Sequence, residues 1–202
     1  MTLENKLGID SSVELARAEE LLTKRRALEL YDKGRLDDFE PGTFDTLARI
    51  HEYLFQDVYD FAGKVRSVNI SKGSFRFAPV MYLPAALEAV EKMPQSTFDE
   101  IVDKYVEMNV AHPFRDGNGR ATRMWLDVIL RKELGLMVDW SLVDKEGYLL
   151  AMERSPVRDI EIKALLKAAL TDGIDDRQAY MKGIDASYRY EGYSTYSMDE
   201  LH

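Results

Sequence analysis

The chain contains no cysteine, which rules out disulfides, thiol catalysis and cysteine-ligated zinc. It also has no surplus of positive charge: 36 acidic residues outweigh 27 lysines and arginines, for a net charge of -9. Such a chain repels a phosphate backbone. That argues against direct nucleic-acid binding and against anionic membranes, while leaving room for a local basic pocket that takes one nucleotide. No apolar run approaches the roughly 18 residues of a membrane span. The opening Met1-Thr2-Leu3-Glu4-Asn5-Lys6 lacks the basic and apolar regions of a signal peptide, so the cytoplasm is the expected compartment. Internal repeats and low-complexity linkers are missing as well.

What remains is an ordinary globular composition. Apolar residues at 46% of 202 are enough for one domain with a sizeable core. Most of the chain reads as amphipathic helix. Ser11 with Glu14 forms a potential capping box ahead of Val13 to Tyr31. Thr43 can cap a helix whose stripe is Phe44, Leu47, Ile50, Leu54 and Val58. Pro84 suits the first turn of another, and Thr97 with Glu100 forms a second capping box. Further helices are expected over 119–134, closed by Gly135, and over 144–153 and 157–171. One stretch differs: Val65 to Ser71 alternates, Lys72-Gly73-Ser74 can turn, and Phe75-Arg76-Phe77 alternates again. This predicts a β-hairpin at about 65–78. The expected fold class is all-α, a helical domain with one hairpin.

The chemistry is concentrated in His112-Pro113-Phe114-Arg115-Asp116-Gly117-Asn118-Gly119-Arg120-Ala121-Thr122-Arg123. Proline disfavours helix in the residue before it, so one helix must stop near His112. Gly117 and Gly119 let backbone N–H groups converge into an anion nest, and the next helix points its positive N-terminus there. Arg120 and Arg123 lie three residues apart, so they share a helical face and suit a polyphosphate. Asp116 is a hard oxygen ligand of the kind that nucleotide-bound Mg²⁺ requires. His112 is a base that can be neutral at pH 7. Together these point to phosphoryl or nucleotidyl transfer, although each feature alone is more often a turn, a cap or a solvated face.

This segment resembles the Fic family signature, histidine-x-phenylalanine-x-acid-Gly-Asn-Gly-Arg-x-x-Arg, without departure. Phe61-Ala62-Gly63-Lys64-Val65-Arg66 and the following Lys72-Gly73 resemble the family's flap hairpin. The resemblance runs from roughly residue 40 to 192. It implies a protein adenylyltransferase that moves AMP from ATP to a Tyr, Ser or Thr hydroxyl of a target protein. His112 would be the base and Asp116 would hold Mg²⁺. Gly117, Asn118, Gly119, Arg120 and Arg123 would bind phosphates. Phe114 would anchor the loop in the core. The resemblance also places Tyr148 beside the adenine and makes Lys72 and Gly73 a clamp on the target.

Ser187-Tyr188-Arg189-Tyr190-Glu191-Gly192 resembles the family's inhibitory motif. Its position near the C-terminus is similar to that of the small single-domain Fic subgroup. By that resemblance Ser187 and Glu191 form a brake in which Glu191 pairs with Arg123. Tyr188 would be the self-modified tyrosine, and a homo-oligomer would stabilise the inhibitory helix. A bacterial type II topoisomerase subunit is the implied target, and the same site in reverse would remove AMP. The expected organisation is an N-terminal helical segment (1–39), a Fic core (40–183), an inhibitory helix (184–194) and a tail (195–202).

Two other readings are weighed. A Doc-like branch phosphorylates its target and carries lysine at the position of Gly119, which is intact here. A nucleotide sensor without catalysis would have no use for His112. His51, in mid-helix, is assigned a structural role, and His202 is expected to be disordered.

Overall fold

The computed structural model describes residues 2–73 and 75–201. Ser74, within the expected turn, and His202 therefore lie outside the described residues. The helix-start signals are realised as local hydrogen bonds. Ser11 Oγ accepts from Glu14 N to open α1 (Ser12–Asp32), and Thr43 Oγ1 accepts from Thr46 N to open α2 (Phe44–Phe55). Pro84 lies in the first turn of α3 (Leu83–Glu91). Thr97 and Glu100 make the reciprocal capping box of α4 (Phe98–Ala111). Gly135, at φ 65°, closes α5 (Asn118–Leu134) in the left-handed conformation that only glycine adopts without a Cβ penalty. Asp144 caps α6 (Lys145–Arg154). Then follow α7 (Ile160–Ala168) and α8 (Arg177–Tyr190).

Helix α5 runs through the centre and packs against α2, α4 and α8, while α1 lies against α2 and α8. Leu47, Ile50 and Leu54 of α2 are buried to within 1%, which at about 1.5–3 kcal/mol per side chain makes this face a main support of the core. Trp125 of α5 is fully buried, and its indole N–H donates to the Thr43 carbonyl at 2.9 Å. The C-terminal residues are strapped down. The N–H groups of Thr195 and Tyr196 donate to Glu20, and Met198 N donates to Asp185. Lys24, 1% exposed, pairs with both of those acids.

The structure departs from the sequence pattern in three places. The hairpin is only β1 (Ser71–Lys72) against β2 (Phe75–Arg76), antiparallel, with Ser71 opposite Arg76. Residues 65–70 do not join it, because Arg66 turns inward and is buried by backbone carbonyls. The helix expected over 157–171 is confined to α7. Beyond it, β4 (Leu170–Thr171) pairs with β3 (Met137–Val138), a second small sheet that the sequence reading did not foresee. The C-terminal helix begins at Arg177 rather than 184, capped by Asp176.

Candidate active site

Between the end of α4 and the start of α5, the loop bends through two left-handed residues, His112 (φ 49°) and Gly117 (φ 76°). Asn118 locks this bend. Its Oδ1 accepts from Phe114 N and its Nδ2 donates to Phe114 O, both at 2.8 Å. The side chain expected on phosphate is therefore engaged with its own loop. Phe114 is fully buried and stacks on His51 with centroids 3.8 Å apart, as its anchoring role requires. His51 is structural, as expected. Its Nε2 donates to Asp116 O at 2.8 Å while Nδ1 accepts from Gly63 N at 2.9 Å. Burial holds its pKa down to about 3, so the ring stays neutral in this role. Gly117 has no room for a side chain, because a Cβ there would lie 2.5 Å from the Phe55 ring.

The first turn of α5 has no side-chain cap. Its N–H groups thus present the partial positive charge of a helix N-terminus to whatever lies over Gly117-Asn118-Gly119. What lies there is Glu191, the residue just after α8. Its Oε1 occupies the space a Cβ on Gly119 would need, and it accepts from Arg123 Nη2 at 2.9 Å. Its Oε2 is 3.4 Å from Lys72 Nζ on β1. Burial raises the Glu191 pKa, but the charges of Arg123 and Lys72 outweigh it and hold the carboxyl at about 2. Ser187 completes the grip on Arg123. Its Oγ accepts from Nε at 2.7 Å, and its carbonyl accepts from Nη2 at 2.9 Å.

The two arginines of the segment part company. Arg123 faces Glu191, Ser187 and the Tyr148 hydroxyl, which accepts from Nη1 at 3.3 Å. Tyr148 lines the cleft and is 3% exposed, so it also supports Arg123 directly. Arg120 instead lies between the rings of Phe55, Tyr188 and Tyr193, with Nη1 2.5 Å from Glu19 Oε1. That contact is an ion pair without an aligned N–H. Arg120 is thus engaged by Glu19 and enclosed by aromatic rings, 2% exposed at the back of the cleft. Glu19 also accepts from the hydroxyls of Tyr59 and Tyr193. The sequence reading missed Glu19, because its partners are remote in the chain.

His112 stacks on Phe77 beyond the hairpin, with centroids 3.6 Å apart. Its Nδ1 donates to Asn109 O at 3.1 Å, which fixes the tautomer and leaves Nε2 as the acceptor. Burial lowers its pKa to about 4, so it is a neutral base at pH 7. Asp116 is pushed above the usual carboxylate range by burial, and Gly117 N donates to its Oδ1 at 2.8 Å. Lys72 is exposed and Gly73, at φ 58°, begins the hairpin turn. A cleft of about 730 Å³ joins Lys72, His112, Asp116, Arg123, Tyr148 and Glu191. Tyr188 points elsewhere. It is 1% exposed and donates to Thr23 Oγ1 on α1 at 2.7 Å, so in this packing it is out of reach of the cleft that Tyr193 lines. Among the described residues no helix is long and apolar enough to cross a membrane.

Residues 41–130 match the Fic/DOC family. The chain is 32% identical over 165 residues to a probable protein adenylyltransferase, y4lH, of Sinorhizobium fredii, covering 76% of this chain and 82% of that one. It is 29% identical over 213 residues to protein adenylyltransferase VbhT of Bartonella schoenbuchensis, covering 94% of this chain but only 44% of that longer protein. In fold it is similar to the BepC effector protein of Bartonella tribocorum, solved with bound AMPPNP. The TM-score is 0.68 at 23% identity, over 85% of this chain and 93% of that one. The mostly helical architecture, the loop between α4 and α5 and these similarities together place the chain in the Fic/DOC family.

Proposed function

We propose that the chain is a protein adenylyltransferase, taking AMP from ATP to a Tyr, Ser or Thr hydroxyl of a target protein, and that Glu191 restrains it. The observation that carries this reading is an anion already seated in the site. The Glu191 carboxylate rests on Arg123 and over the uncapped start of α5, in the same cleft as a neutral His112. A terminal phosphate would seek the same donors. The relatives' shared name, protein adenylyltransferase, supports AMP as the group moved.

In the reaction, His112 Nε2 takes the hydroxyl proton. The freed oxygen bonds to the α-phosphorus, and the bond to the bridging oxygen breaks to release pyrophosphate. The nest at Gly117 to Gly119 and Arg123 would hold the phosphates, with the buried charge of Arg120 behind them, which sets the attack geometry. Among the described residues no three metal-binding side chains converge, so one carboxylate plus nucleotide oxygens and water is the coordination the site offers. Asp116 fits this, since a cation would relieve its desolvated carboxylate. Mg²⁺ held there would neutralise phosphate charge. Lys72 and Gly73 sit where a target segment could add to the short hairpin.

On this reading residues 184–194 are the brake on a core that spans 40–183. Self-modification at Tyr188 would require α8 to leave α1 first. The finer expectations follow from the subgroup: a homo-oligomer, a type II topoisomerase subunit as target, and AMP removal in reverse with Glu191 orienting water. The test is mass spectrometry of proteins recovered after Glu191→Gly, ATP and Mg²⁺ are incubated with bacterial lysate. Adducts of AMP that vanish with His112→Ala support the proposal. Phosphate adducts, or none, reject it.

A further inference from the structure

The carbonyls at the end of α4 reveal a residue whose work the reaction scheme leaves out. A helix C-terminus leaves its last carbonyls without intrahelical donors, and a buried one must find them elsewhere. Here six consecutive carbonyls are satisfied. Met108 O accepts from His112 N, and Asn109 O from His112 Nδ1. Val110 O accepts from Ala78 N at 3.0 Å. The remaining three all depend on Arg66: Ala111 O accepts from Nη2 at 3.2 Å, His112 O from Nε at 2.8 Å, and Pro113 O from the Arg66 backbone N–H at 2.8 Å.

The same guanidinium holds both sides of the hairpin base. Nη1 donates to Val68 O at 2.7 Å and Nη2 to Ala78 O at 2.5 Å. Arg66 is 4% exposed, and among the described residues no carboxylate pairs with it. Its counter-charge is the negative end of α4 together with these carbonyl dipoles. Its bonds converge on His112, the single non-glycine residue at positive φ among the described residues. A backbone so placed persists only when its surroundings over-determine it.

We propose that Arg66 is a positioning residue, fixing the left-handed backbone of His112 and tying the catalytic imidazole to the base of the flap. This rests on the adenylyltransferase reading for its activity readout, but not for its structural one. A lysine in its place keeps the charge but not the planar fork, so it cannot serve four carbonyls at once. The flap and the base would then be free to move apart. A misplacement near 1 Å at a reacting group costs on the order of 100-fold in rate.

The test compares Arg66→Lys and Arg66→Ala, each in the full-length Glu191→Gly chain. Three quantities are measured: initial rate of protein labelling from α-³²P-ATP in bacterial lysate, Kd for the non-transferable analogue AMPCPP, and the histidine ring resonances in ¹³C-histidine-labelled protein. The His112 signals are identified by their loss in His112→Ala. Expected are a fall in labelling rate of roughly 10- to 100-fold with Kd within about 3-fold of the parent, and His112 ring signals that leave their single-tautomer positions. Lysine should give the smaller effect. If alanine prevents folding, lysine carries the comparison. Unmoved His112 signals, or a Kd that weakens as much as the rate falls, overturn the proposal. Absence of labelling by the Glu191→Gly parent would instead count against the adenylyltransferase reading, and the ring signals would still decide the role of Arg66.

Discussion

Replacing Glu191 by glycine removes one carboxylate and leaves α8 in place, since Glu191 follows the helix rather than lying within it. With the carboxylate goes a charge-assisted hydrogen bond of 2.9 Å to an arginine that is 2% exposed. Such a bond is worth about 1.5–3 kcal/mol net, which at 1.4 kcal/mol per tenfold is a factor of roughly 10 to 150. Lys72 is 68% exposed and sits 3.4 Å from the same carboxylate, so screening leaves it little weight in that sum. The blocked form should therefore hold all but roughly 1 to 10 per cent of the molecules, and Glu191→Gly should raise initial AMP transfer by roughly 10- to 150-fold. Arg123 keeps Ser187 and Tyr148 as partners, so its guanidinium stays in place to receive a phosphate. The sign with pH follows from the carboxyl pKa of about 2. Depressed below its unfolded value, that group contributes its stabilisation above the unfolded pKa and loses it only as pH falls through about 2. The ratio of variant to parent rate should thus be constant between roughly pH 6 and 8. Quantified labelling with α-³²P-ATP over that range measures both. An unchanged rate at saturating ATP would refute the reasoning, because an anion on Arg123 would then be no obstacle to the nucleotide.

His112, with a pKa near 4, is already neutral at physiological pH, so the transfer rate of Glu191→Gly should stay flat from about pH 8 down to pH 5.5 in a buffered labelling series. A fall centred near pH 6.5 would mean an imidazole in ordinary solvent. Glu19→Ala should lower stability by about 3–5 kcal/mol in a urea melt, because Arg120 would be left as an uncompensated buried charge. Asp127 is half-buried, and desolvation raises its pKa to about 7 although Val138 N and Trp140 Nε1 donate to it. A raised folded pKa means the folded state binds the extra proton. Stability should therefore decline as pH rises from about 4 through 7, and Asp127→Asn should flatten that slope in thermal melts.

What could be read from the sequence was what is settled locally. Ser11, Thr43, Thr97 with Glu100, and Gly135 each act on backbone within a few residues, so their types and spacing sufficed to set helix ends. The loop from His112 to Arg123 was legible for the same reason, and so was the four-residue spacing of Ser187 and Glu191. Arg66 and Glu19 were not. Each looks like a surface charge on its own segment, and its burial depends on partners such as His112 and Arg120 that only the tertiary fold supplies. Alternation in 65–70 suggested strand, but one arginine directed at four carbonyls won over β-propensity. The tyrosine-rich tail could have frayed. Instead Tyr188 and Tyr190 are buried, and Glu20 and Asp185 receive the backbone beyond them.

Adenylyl transfer requires that the α-phosphorus, not the γ-phosphorus, receive the attacking oxygen. Incubating Glu191→Gly with ATP labelled at the α-phosphate or at the γ-phosphate, beside His112→Ala in the same background, distinguishes them directly. Protein-bound label from the α-position alone, reduced roughly 10²- to 10⁴-fold by His112→Ala, is the expected result. Label from the γ-position, or α-label that survives removal of the imidazole, would contradict it.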